Sequence, residues 1–239
     1  MNLNYIVGHV VIGARSIKVN WPYMVSNLAF PLSLLFVVGI LSQGKLLPFA
    51  LVGGLLSIIA MNGIMAVSYL GSLKFDYIYQ DLIITTKTSK IDYMFAHLLG
   101  ELVWIIPSVV LYFVLDIIFS ILTPYAFLMT LFLGALVSVA TYSISFWFSG
   151  IIKNNRYTAA ISTVLGLLMI TLPPTFYPYT YLPKSALYIL TFIPTTPAVI
   201  LAQGVFGIAP MQWYMLPVLI IETLAYFLIA KYLTKWRED

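Results

Sequence analysis

The chain has 239 residues, of which 62% are apolar and only 8% are Asp, Glu, Lys or Arg. A soluble domain carries about 25% of these charged residues, so this chain is too apolar to cover a water-facing surface. The composition excludes a soluble enzyme, a nucleic-acid-binding protein and a disordered chain, although the net charge is +4. The absence of cysteine excludes disulfides, a thiolate nucleophile and a Cys-based metal site.

Hydropathy predicts six membrane-spanning helices, because each crossing needs about 20 mostly apolar residues. In chain order the predicted spans are 22–41, 46–70, 94–120, 124–150, 158–174 and 212–233. An arm over 1–21 precedes them and mixes apolar with basic residues, which predicts an amphipathic helix lying in the membrane interface. We find no internal repeat, so the sequence predicts one all-α membrane domain over 1–239.

The distribution of basic residues predicts the orientation. Ten of the twelve Lys and Arg residues lie in the arm, in the loops after the second and fourth spans and in the C-terminal tail, and only Lys45 and Lys184 lie on the other side. Positive residues concentrate on the cytoplasmic side of a membrane protein. We therefore expect a multi-pass protein of the cell membrane with both termini in the cytoplasm.

Two long connections carry most of the remaining information. The cytoplasmic loop 71–93 has Phe75, Ile78 and Leu82 at helical spacing, which predicts a short amphipathic helix parallel to the membrane. The outer segment 173–211 is rich in Pro and Tyr yet still apolar, which is typical of a re-entrant hairpin. The backbone of such a hairpin must be hydrogen-bonded by protein or line a water-filled cavity.

Polar side chains inside the predicted spans are candidates for a substrate pathway. A charge at mid-bilayer costs about 2.5–3.5 kcal/mol, so Glu101 and Glu222 should face the bundle or a cavity. Each carboxyl group either lines a pathway or, protonated, hydrogen-bonds to a neighbouring helix. Asn62 is a third pathway candidate, with helix–helix hydrogen bonding as the alternative. His97 lies four residues before Glu101, on one helical face, so their spacing allows a hydrogen bond between them.

The sequence offers no catalytic constellation. Its two histidines, His9 and His97, are far apart in sequence, and no nucleophile stands beside a base with an orienting group. Residues 39–46 have the spacing of a phosphate-binding loop, but Leu46 stands where Ser or Thr would hold magnesium. We therefore predict that the chain is not itself an enzyme and carries no cofactor of its own.

Taken together, the order of these features resembles the permease subunit of a type-2 ABC transporter. The first match is the amphipathic arm. The second is the stretch 81–93, where an acid, a Leu-containing step and a Thr/Ser-rich turn precede a second acid, with Lys87 in place of the family's usual proline. The third is the outer segment, with Phe176-Tyr177-Pro178, then Leu182-Pro183, then Pro194-Thr195-Thr196-Pro197.

This resemblance implies a half-transporter. It pairs with a second copy or a paralogue, and the two halves together enclose a pathway. A separate ABC ATPase, which holds ATP and magnesium, would dock through Phe75, Asp76, Ile78, Tyr79, Asp81, Leu82, Lys87 and Asp92. The outer segment would act as a lid through Phe176, Tyr177, Pro178, Pro194 and Pro197. The residues alone leave open a passive channel or a secondary transporter without an ATPase. The cargo also stays open, because the family moves polysaccharides, drugs, lipids and peptides.

Overall fold

The computed structural model describes residues 3–19, 21–121 and 123–235, and these form helices joined by turns. Residues Tyr179–Tyr181 form a 3₁₀ turn. The helices are α1 (Leu3–Val19), α2 (Trp21–Leu41), α3 (Leu47–Phe75), α4 (Tyr79–Ile84), α5 (Lys90–Ile118), α6 (Pro124–Ile151), α7 (Asn155–Thr171), α8 (Lys184–Leu190), α9 (Thr195–Val205) and α10 (Met215–Leu233). Residues 1, 2 and 20 of the predicted arm lie outside the described residues.

Within the described ranges, four helices are long and apolar enough to cross a membrane, namely α3, α5, α6 and α10. They correspond to the predicted spans 46–70, 94–120, 124–150 and 212–233, and they make the chain an all-α, multi-pass membrane protein. The helices α8 and α9 are bent by 119° relative to each other. Together they add a fifth span if the bent pair counts as one broken span.

The first and fifth predicted spans correspond to α2 and α7, which do not belong to this set. α7 has only 17 residues, fewer than an untilted crossing needs. α2 contributes a shorter apolar helix over Pro31–Leu41. Six spans therefore stay a prediction.

The central helix is α3, which is buried along most of its length and contacts α2, α5, α6, α7 and α9. Small residues make this possible, because they let neighbouring backbones approach closely. A Cβ atom at Gly53 would overlap the carbonyl group of Thr175, and one at Gly63 would overlap the side chain of Thr141. The fold is therefore built around one glycine-containing helix.

The arm helix α1 packs along α5. Its Ile6 is buried, whereas Leu3, Val7 and Ile12 are exposed. An exposed apolar face beside a packed one is what an interfacial helix presents to lipid. The arm therefore forms the predicted helix, and its position in the membrane interface stays a prediction.

The outer segment folds back into the bundle through α9, which is buried against α3, α6 and α10. Gln203 fixes its irregular backbone with three hydrogen bonds. The Gln203 side-chain oxygen accepts from the N–H of Tyr179 at 3.1 Å, and its amide group donates to the carbonyl oxygens of Pro174 at 2.8 Å and Tyr177 at 3.0 Å. Protein groups thus supply the hydrogen bonds of this non-helical backbone.

Candidate functional site

A cavity of about 390 Å³ opens between α1, α3 and α5. This volume falls within the range of about 300–1,000 Å³ that is typical of small-molecule sites. α1 contributes four lining residues, α3 contributes one and α5 contributes three. They are His9, Ile12, Gly13, Ser16, Tyr69, Gly100, Glu101 and Trp104.

Two glycines explain why the cavity forms at this place. A Cβ atom at Gly13 would lie 3.2 Å from the carbonyl oxygen of Gly100, and one at Gly100 would lie 3.0 Å from Cδ2 of His9. α1 and α5 therefore touch backbone to backbone at one point. Side chains three and four residues from the contact fall on the same helical faces, so they surround the space beside it.

A cluster of aromatic rings packs next to the cavity, around His97. The centroid of the His97 ring lies 3.8 Å from that of His9, 4.3 Å from that of Tyr93 and 5.7 Å from that of Tyr69. The ring of Tyr79, from the short helix α4, lies 6.3 Å away. This cluster, formed by His9, Tyr69, Tyr79, Tyr93 and His97, joins four helices.

A hydrogen bond between His97 and Glu101, which their spacing allows, does not form. The His97 side chain is completely buried, and neither ring nitrogen has a hydrogen-bond partner among the described residues. The ring packs instead against His9 and Tyr93, while the side chain of Glu101 lines the cavity. Tertiary packing of α1 onto α5 decides the orientation of His97, and the spacing along α5 does not.

Two titratable groups of α1 are uncharged near pH 7, namely His9 in the cavity lining and Tyr5 beside His9. Burial lowers the pKa of His9 from its usual 6.5, which favours the neutral imidazole. Burial and a hydrogen bond with Tyr79 raise the pKa of Tyr5, which favours the neutral phenol. Glu101 is therefore the acidic group of the cavity, with no protonated histidine beside it at neutral pH.

The three pathway candidates separate in space. The side-chain amide of Asn62 donates to the backbone carbonyl of Glu101 at 3.3 Å. Asn62 therefore joins α3 to α5 through the backbone of Glu101 and not through its carboxyl group. Glu101 lines the cavity. Glu222 lies on α10, half-buried near Tyr226, and its Oε2 atom has no partner among the residues that the structure describes.

The connector between α3 and α5, residues 76–89, differs in detail from the predicted amphipathic helix. Phe75 ends α3, and α4 begins only at Tyr79, because Ile78 has a left-handed backbone with φ of 53°. The expected register is therefore wrong: Ile78 and Leu82 are exposed, and Ile83 is the buried residue of α4.

The eight predicted coupling residues fall into three groups. Five are exposed, namely Asp76, Ile78, Asp81, Leu82 and Lys87. Phe75 and Tyr79 are half-buried. Asp92 is buried in a capping box, in which its N–H donates to Ser89 Oγ at 3.1 Å and its carboxylate accepts from the N–H of Ser89 at 3.4 Å. Asp92 thus fixes the start of α5.

The predicted lid residues belong to the packed outer segment. Phe176, Pro178, Pro194 and Pro197 are buried, and Tyr177 is half-buried. The hydroxyl group of Thr195 donates to the carbonyl oxygen of Met169 at 2.9 Å and ties the start of α9 to α7.

Sequence reasoning missed Gln203 and most of the cavity lining. His97, Glu101 and Trp104 have the spacing i, i+4, i+7 on α5, and His9, Gly13 and Ser16 repeat it on α1. That spacing signals a shared face, but only the packing of α1 on α5 shows that the two faces meet. No protein-family model matches the chain, and no curated protein matches it in sequence. Its function is therefore inferred from the cavity and from the connector.

Proposed function

We propose that the chain is the membrane-spanning permease subunit of an ATP-driven exporter of the type-2 ABC class. In this proposal it pairs with a second copy or a paralogue, and a separate ATPase subunit binds and hydrolyses ATP with magnesium. The observation that carries the proposal is the connector, residues 76–89, which is held firmly by the bundle and yet exposes an apolar and charged surface.

The connector is held at several points. Ile83 is buried, and the ring of Tyr79 packs against His97. The side-chain amide of Asn155 donates to Asp76 at 2.6 Å and joins the connector to the start of α7. Because these contacts reach α5 and α7, a partner that pushes on α4 moves the helices that follow it.

The outward surface of the connector has the composition of a binding interface. Tyr77, Ile78 and Leu82 are 73%, 61% and 64% exposed. Asp81 and Lys87 are exposed on the same short segment. Apolar side chains with charged neighbours are typical of surfaces that bind another protein.

The order of elements also supports the proposal. An interfacial helix, two helices, the connector, three helices, a bent pair and a last helix follow the order that the resemblance implies. In the proposal the connector faces the cytoplasm, and the segment with α8 and α9 acts as the outer lid. A passive channel or secondary transporter shares the helices but has no use for a docking connector.

A photo-crosslinking experiment tests the proposal. A photoreactive amino acid at Leu82 in native membranes should crosslink to a protein that mass spectrometry identifies as a P-loop ATPase. The matched control is the same substitution at Tyr188 on α8, which is 67% exposed but lies in the outer segment. Position 188 should give no ATPase adduct. Lipid adducts alone at position 82 would contradict the proposal and favour a channel or secondary transporter.

A further inference from the structure

We propose that the cavity between α1, α3 and α5 binds a small organic cation with an apolar or aromatic body, such as a quaternary amine. The site lies within one chain, and the inference does not depend on an ATPase docking to the connector.

The first support is the charge of the lining. Glu101 supplies a carboxyl group, and none of the described residues that line the cavity is Lys or Arg. A carboxylate repels an anion, and in a poorly solvated place it is favoured over the neutral acid when a positive charge lies beside it. A cation, by contrast, pairs with the carboxylate where the surrounding dielectric is low and the attraction is strong.

The second support is the aromatic lining. Tyr69 and Trp104 come from different helices and both line the cavity together with Glu101. Faces of Trp and Tyr attract cations through the ring quadrupole, and cages of such rings are the usual surroundings of bound quaternary ammonium groups. Ile12 adds an apolar contact for the body of the ligand.

The third support is the neutral state of His9. Because burial lowers its pKa, the imidazole adds no positive charge that would compete with a cation at neutral pH. The other polar group of α1 in the lining, the Ser16 hydroxyl, donates to the Gly13 carbonyl at 2.7 Å, so its oxygen has only acceptor capacity left.

Size and access also fit a small ligand. The cavity of about 390 Å³ equals the volume of about 13 water molecules in the liquid, at about 30 Å³ each. Ile12 is 63% exposed and Tyr69 is 39% exposed, so the cavity reaches the surface of the bundle at these residues. A ligand can therefore enter without opening the core around α3.

The test is equilibrium binding of radiolabelled benzyltrimethylammonium to the full chain in phosphatidylcholine nanodiscs at pH 7.5. We expect saturable binding with one site per chain. Benzyl alcohol and benzenesulfonate, which share the aromatic ring but are neutral and anionic, should compete about tenfold less well or worse.

Two variants and a matched control locate the site. Glu101→Gln keeps the size of the side chain and should weaken binding about tenfold or more, and Trp104→Leu should weaken it about fivefold. The control is Asp116→Asn, which also neutralises a carboxyl group of α5 but lies about 22 Å further along the helix. It should leave binding unchanged. Binding that does not saturate, that is equal for the three probes, or that survives both Glu101→Gln and Trp104→Leu would overturn the proposal.

Discussion

Gln203 and His97 are both completely buried polar side chains, but they differ in their hydrogen bonds. Gln203, in α9, makes three hydrogen bonds that fix the outer segment. His97, in α5, has no hydrogen-bond partner among the described residues and packs against the rings of His9 and Tyr93. The two residues show two ways in which this bundle buries a polar side chain.

The difference contrasts a buried polar side chain whose hydrogen bonds are made with one whose hydrogen bonds are not. A buried polar group that is fully hydrogen-bonded adds to stability, whereas an unpaired one lowers it by about 1–3 kcal/mol. The unpaired group lies in the end that also contains the cavity and the connector. Sites of function are the usual place for such costs.

The largest effect should come from Gln203→Leu. The substitution leaves the N–H of Tyr179 and the carbonyl groups of Pro174 and Tyr177 without their partner, at about 1–3 kcal/mol for each buried group. We expect a loss of at least about 3 kcal/mol in the free energy of unfolding, measured by denaturant titration in detergent. Gln212→Leu is the control, because Gln212 makes one half-buried bond, to the Tyr179 hydroxyl, and should cost about 1 kcal/mol. Equal losses in both variants would contradict the special role of Gln203.

The second effect should have the opposite sign. His97→Phe replaces two unpaired nitrogens by an apolar ring edge in an aromatic surrounding, so we expect a gain of about 1–2 kcal/mol in stability. The same unfolding experiment measures it. A loss of stability in His97→Phe would show that His97 is better satisfied than its contacts indicate, and the contrast with Gln203 would fail.

Two glycines of α1 provide a third, smaller test. Gly13→Ala pushes against the Gly100 carbonyl oxygen, 3.2 Å from the new Cβ atom, whereas a Cβ atom at Gly8 meets nothing within 4 Å. Gly8→Ala should stabilise the helix by up to about 1 kcal/mol, and Gly13→Ala should forfeit that gain and displace α1. Distances between spin labels on α1 and α5 measure the displacement. If both variants left these distances unchanged, α1 would not be seated on α5 through this contact.

The smallest expected effect is a pH dependence of the packing of α1. Because the pKa of His9 is lowered in the folded state, the unfolded state binds more protons below about pH 6.5, and stability falls as the pH drops through this region. The titratable groups that face His9 are Tyr5 on α1, Tyr69 on α3, and His97 and Glu101 on α5. Thermal unfolding at pH 7.5 and pH 5.5 should differ less in His9→Phe than in the natural chain. An identical difference in both proteins would remove His9 as the cause.

Hydropathy predicted the four long apolar helices well, because the length and apolarity of a span are local properties of the sequence. It could not decide α7, whose 17 residues fall just short of a crossing. The start of α4 was missed because a left-handed residue, Ile78, interrupts the helical spacing, and isoleucine does not signal that conformation. Glu101 was chosen as a candidate because an acid among apolar residues stands out. Its neighbours in the cavity depend on the contact between α1 and α5, which no local pattern encodes.

The glycines of α3 have one further consequence, which concerns motion. A Cβ atom would overlap Thr175 of the outer segment at Gly53, Thr141 of α6 at Gly63 and Thr158 of α7 at Gly71. Since these bare backbone positions face three different neighbours, α3 cannot rotate about its own axis without driving side chains into them. We expect α3, α6 and α7 to move as a single rigid unit, so that a change of shape leaves the packing of these three helices intact.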